Sequence, residues 1–123
     1  MGESVLKDKS FEFALSIVET YKDLREKGEY VMSKQMLRCG TSIGANISEA
    51  NMAQTLADFS SQMYIALKEA NETLYWVSLL SKAGYLDTDT SEKLTTTCNE
   101  LLKMLISTTK KTSPRQQKLN TEH

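Results

Sequence analysis

Between Phe59 and Leu80 an apolar residue returns every three or four positions: Phe59, Met63, Ala66, Leu67, Ala70, Leu74, Val77 and Leu80. That is the period of an α-helix, and it cannot be laid on a strand, whose faces alternate at every second residue. The segment opens near Ala57, after Ala53 to Thr55, and closes at Ala83 before Gly84. At a rise of 1.5 Å per residue it extends about 40 Å, so its partners must be long as well. Composition agrees with a wholly helical chain. The 123 residues include five Gly and one Pro, too few for an all-β, collagen-like or linker-like sequence, and the length suits one domain.

Three further segments carry the same period. The first runs from about Ser10, a plausible N-cap, to Lys27, with Gly28 as its stop. Phe11, Ala14, Leu15, Val18 and Tyr21 form its stripe, widened by Phe13, Ile17 and Leu24. The second, about Val31 to Met52, aligns Met32, Met36, Cys39, Ile43, Ile47 and Ala50, and its middle is crowded with Gly40, Ser42, Gly44, Ala45 and Ser48. Glycine inside a helix costs about 0.5–1 kcal/mol relative to Ala, so its use here predicts a neighbouring helix at unusually close range. The fourth is capped by Thr88 or Thr90, buries Leu94, Cys98, Leu101, Leu102 and Leu105, and is ended by Ser113-Pro114. Tyr85-Leu86 is expected to fold back onto the bundle end.

Short connections favour antiparallel neighbours. The expected fold is all-α: an antiparallel up-down-up-down four-helix bundle over residues 1–111, followed by a polar tail, 112–123, expected to be disordered.

Fifteen Lys and Arg against sixteen Asp and Glu give a net charge of −1, with no general basic field to attract nucleic acid. The charge is uneven. Lys110, Lys111, Arg115 and Lys118 oppose only Glu122 in residues 110–123, a local balance of +3 that leaves −4 for the rest. The first ten residues lack the apolar core of a signal peptide, and Leu6 stands where a myristoylation motif wants Ser or Thr. No apolar run is long enough to span a membrane. Cys39 and Cys98 sit singly at apolar helical positions and read as buried free thiols of a cytoplasmic protein, though one disulfide is geometrically open to them.

Chemistry is sparse. The single histidine is His123, which excludes the Glu-x-x-His pairs of a di-iron bundle. Arg38, Ser42, Asn46 and Glu49 recur at spacings of 4, 4 and 3, a polar ridge on the second helix. It reads as solvated surface, a buried hydrogen-bond network or a contact surface for another chain or ligand, with the network ahead of a ligand site. Glu69 and Glu72 make an i, i+3 carboxylate pair that reads as a solvated or ion-paired face, and Glu49 and Glu72 could meet Arg38 across the bundle or between subunits. Met32, Met36, Met52, Met63 and Met104 read as core filler. Tyr75 and Trp76 are adjacent and cannot both face one core, so one of them is expected at the surface or in an oligomer interface. No cofactor or metal site is expected.

The run Arg38, Thr41-Ser42-Ile43, Ala45-Asn46-Ile47, Glu49-Ala50 resembles the signature of the bacterial four-helix-bundle proteins of the 23S rRNA intervening-sequence family. Phe59, Ile65-Ala66, Glu72 and Gly84-Tyr85-Leu86 resemble that family's later landmarks, and the likeness spans about residues 10–106. Ala50 stands for the more usual Gly, and Lys68-Glu69 for Gly-Ser. Related accessory proteins of diversity-generating retroelements form pentameric barrels that bind nucleic acid and a reverse transcriptase. The resemblance therefore implies a non-enzymatic homo-oligomer, pentamer-like. The alternative is an RNA- or DNA-binding module using Lys110, Lys111, Arg115 and Lys118, with Arg38. An enzyme would need Asn46, Glu49 and Glu72 to line a pocket.

Overall fold

The computed structural model describes residues 2–112, with side chains from Val5 onward. Arg115, Lys118 and most of the polar tail lie outside the described residues. Four helices, α1 (Gly2–Glu26), α2 (Met32–Ala50), α3 (Leu56–Lys82) and α4 (Thr88–Thr112), are joined by connections of five residues each. Connections that short force consecutive helices antiparallel. The helices α1 and α3 each pack against both α2 and α4, so they face one another across the diagonal of a four-helix bundle, and the α1–α4 seam is the thinnest. No strand occurs among the described residues, and no helix is long and apolar enough to cross a membrane.

Both chain reversals at one end of the bundle use the same device. Gly28 (φ +86°) and Gly84 (φ +89°) adopt the left-handed conformation, the Gly28 and Gly84 N–H groups donate to Arg25 O and Ser81 O, and Glu29 and Tyr85 N–H to Leu24 O and Leu80 O. This double bond satisfies carbonyls that a helix end otherwise leaves unpaired. Leu86 folds back and is buried, as expected. Lys27 Nζ donates to Tyr85 O at 3.0 Å and ties the two reversals together.

The core is built from Leu6, Phe13, Ile17 and Leu24 of α1, Met36, Ile43 and Ile47 of α2, Met63, Val77 and Leu80 of α3, and Leu101 and Leu105 of α4. Four expectations are corrected. Helix α1 starts eight residues earlier than Ser10, which is not a cap but a buried mid-helix residue whose hydroxyl donates to Lys7 O. The stripe of α1 is covered only in part: the flanking Phe13, Ile17 and Leu24 are buried and Ala14, Val18 and Tyr21 half-buried, whereas Phe11 is 65% and Leu15 52% exposed. Two apolar strips run along this helix, and the bundle buries only one. Met52 is no core filler, being 82% exposed beyond the end of α2. Neither Thr88 nor Thr90 caps α4; Asp87 does, its Oδ1 accepting from Thr90 N–H at 2.7 Å.

The start of α2 carries a cap that sequence reasoning did not find. Glu29, only 6% exposed, reaches forward to accept from the N–H groups of Val31, Met32 and Ser33, while Ser33 Oγ donates back to Glu29 O. Burial alone would raise the carboxyl, but the bonds from Met32, Ser33 and Val31 hold it below its ordinary pKa. A carboxylate is well suited to this position, where the orphan N–H groups and the helix dipole both favour negative charge.

Candidate functional site

The close approach expected of α2's glycines is made to α1. Gly40 lies against Ile17, and Gly44 against the backbone of Ser10. Beyond that contact the rest of the small-residue run opens outward. Thr41, Gly44, Ala45 and Ser48 form one wall of a groove of about 570 Å3, and Lys7, Asp8, Phe11, Glu12 and Ala14 of α1 form the other. The wall on α2 has no side chain larger than threonine. Phe11 stands at the groove largely exposed.

The polar ridge lies on the other flank of α2, toward α3. Arg38 spans the gap, with Nη1 at 3.1 Å from Glu69 Oε2 and Nη2 on Glu72 Oε2. Trp76 Nε1–H donates to the same Glu72 oxygen at 3.0 Å, and the Tyr75 ring meets Trp76 edge-on at 5.0 Å between centroids. Bonds from Trp76, first, and Arg38 hold the Glu72 carboxyl below its ordinary pKa against the opposing effect of burial. Ser42 and Asn46 turn inward on their own helix: Ser42 Oγ donates to Arg38 O at 2.7 Å and Asn46 Nδ2 to Ser42 O at 2.8 Å. Glu49 is exposed. The structure thus joins Arg38 to Glu72 within one chain, spends Ser42 and Asn46 on the α2 backbone, and leaves Glu49 apart. Lys110 and Lys111 occupy the last turn of α4.

The ordinary sources of reactivity are muted. Both cysteines are free and buried, and burial raises both thiols, that of Cys98 to about 12. Glu69 and Glu72 are each bonded to Arg38. No group of three or more His, Cys, Asp or Glu among the described residues is placed to hold a metal ion.

On the outer face of α3, Tyr64 (56% exposed), Tyr75 (59%) and Leu79 form a second, interrupted apolar strip, with Lys68 one turn from Tyr64 and Asn71 between Lys68 and Tyr75. Tyr75 is thus the surface member of the Tyr75–Trp76 pair. Sequence reasoning missed Phe11 and Leu15 as surface residues; the available signal was the presence of more apolar residues on α1 than one face can hold.

No curated protein matches the chain. Among solved structures it is similar to a protein with unknown function from the S23 ribosomal protein family of Bacteroides thetaiotaomicron VPI-5482. The two are 53% identical with a TM-score of 0.87, and the match covers 89% of this chain and 99% of that one. The family model described as 23S rRNA-intervening sequence protein matches residues 3–107, and the chain accordingly belongs to the 23S rRNA-intervening sequence protein family.

Proposed function

We propose that the protein is a non-enzymatic interaction protein that acts as a homo-oligomer, a closed ring and pentamer-like as its family resemblance implies. One observation carries this reading: the chain leaves two separate apolar strips bare, Phe11 and Leu15 on α1 and Tyr64, Tyr75 and Leu79 on α3, on helices across the bundle diagonal. Two different patches on different sides of one subunit suit a head-to-tail contact, and head-to-tail contacts close into rings or grow into filaments. Two unpaired buried thiols favour the cytoplasm as its compartment. Static light scattering at micromolar concentration tests the assembly. A mass several times 13.9 kDa is expected, and a monomer overturns the reading.

A second reading, an RNA- or DNA-binding accessory module, is favoured by Lys110 and Lys111 in one turn at the end of α4, with Arg115 and Lys118 following in sequence. A ring would gather these charges from every subunit, and phosphate contacts supply most non-specific affinity. Filter binding at low salt, comparing the full chain with residues 1–109, is expected to show loss in the truncation. Equal or absent binding overturns it.

A further inference from the structure

We propose that the α1–α2 groove is the seat for the outer face of α3 from the next copy of this chain, with Tyr64 entering beside Phe11 and Lys68 reaching Asp8 and Glu12. This rests on the oligomer reading above and goes further by naming both halves of the contact.

The groove is open because the α2 wall is made of Gly44, Ala45 and their small neighbours. Small residues on one helix let a second helix approach closely, and a rigid aromatic side chain fills such a space with large apolar area at low entropic cost. The outer face of α3 presents that kind of side chain, since Tyr64 is over half exposed. Charge selects the occupant. Asp8 and Glu12 sit one turn apart beside Phe11, and with Lys7 they leave the groove at a net −1. Lys68 lies one turn from Tyr64. Among the described residues none of Asp8, Glu12 and Lys68 takes part in the chain's ion pairs. Opposite charges left unpaired on two apolar surfaces of the same molecule fix a register when those surfaces meet.

A head-to-tail contact makes a prediction that a symmetric one does not. Phe11→Asp blocks the groove and leaves the α3 face intact; Tyr64→Asp does the reverse. Both positions are exposed, and unchanged helical circular dichroism confirms folding. Each variant alone is expected to be monomeric, and an equimolar mixture to form a 1:1 complex of about 28 kDa, twice the chain mass, that grows no further. In the otherwise unaltered chain, Lys68→Glu is expected to raise the dissociation constant of assembly at least tenfold, and Asp8→Lys with Glu12→Lys in the same chain to restore it. An oligomeric wild type that either single aspartate variant leaves intact, or variants that stay apart when mixed, overturns the docking while the oligomer stands. A monomeric wild type overturns the oligomer reading itself, and the docking with it.

Discussion

Gly40 of α2 stands so close to Ile17 of α1 that a methyl group on Gly40 would lie 2.8 Å from Ile17 Cγ1 and 2.9 Å from Cγ2. Ile17 is fully buried and branched at Cβ, so it has no rotamer into which to retreat. Gly40→Ala is therefore expected to destabilise the bundle by about 1–2 kcal/mol, overpacking outweighing the helix propensity that alanine adds. At Gly44 the nearest atom is Ser10 O at 3.3 Å, a contact that a shift of a few tenths of an ångström relieves. Gly44→Ala is expected to cost less than Gly40→Ala. Urea unfolding of both checks the order, and Ile17→Ala combined with Gly40→Ala should lose less than the sum of the two single changes.

Glu29 supplies a pH dependence whose sign is fixed by its bonds. Its folded pKa lies below its ordinary value, so the cap stabilises above the unfolded carboxyl pKa and is lost as pH falls through the folded one. Glu29→Gln keeps the shape and removes the charge. It is expected to cost about 0.5–2 kcal/mol at neutral pH, and the loss relative to wild type should shrink as pH is lowered through the acid range. Thermal unfolding of both chains between neutral and acid pH measures this. A deficit that stays constant across that range would show that the charge does not matter.

These two residues also mark where reasoning from sequence succeeds and stops. The period of 3.6 placed four helices and most of the core of α2, α3 and α4: α2 and α4 each have one dominant apolar face, and on α3 the expected stripe is the covered one although Tyr64, Tyr75 and Leu79 add apolar residues outside it. On α1 two strips compete, Leu6, Phe13, Ile17 and Leu24 against Phe11, Leu15 and Val18, and periodicity cannot say which is covered by the rest of the bundle. Ser10 read as a cap because hydroxyls there are common. It is buried because Gly44, thirty-odd residues away, has no side chain to hold the α1 backbone off. The polar ridge is visible from spacing alone, and Glu72 is among the partners expected for Arg38, yet the part of Glu69 and the separation of Glu49 depend on the register of α2 against α3, a tertiary fact. Glu29 reads as one charged loop residue among many until the chain reversal turns it onto the N-terminus of α2.

Trp76 reports on the Arg38–Glu72 contact. Glu72 carries a lowered pKa through its bonds to Trp76 and Arg38, so the indole N–H bond persists at neutral pH and is lost as pH drops through the folded pKa. Trp76 fluorescence, from the chain's one tryptophan, is expected to titrate below the ordinary carboxylate range, and Glu72→Gln to remove the transition. Arg38→Ala should move that transition upward while costing less than ~1 kcal/mol of stability, because the guanidinium is half exposed and the pair is screened. A large stability loss in Arg38→Ala would mean the ridge is a structural keystone of the α2–α3 pair.

The two thiols should be silent until the bundle opens. Burial, then the proximity of Cys39, pushes Cys98 up to about 12, and its Sγ is further occupied in donating to Ala70 O at 3.2 Å. Cys39 is raised by burial, against which a bond with Thr73 acts only in part. At pH 8 a thiol of that pKa is ionised at about one part in 10⁴, and the thiolate is the reacting species. An aromatic disulfide reagent is therefore expected to label neither cysteine in the native chain and both in urea. Across the unfolding transition the two are expected to react in step, since both are fully buried in the one bundle. Rapid labelling of a single cysteine at neutral pH without denaturant would place that helix among the elements that open independently, and α4, held to α1 along the thinnest seam of the bundle, is where such an opening would begin.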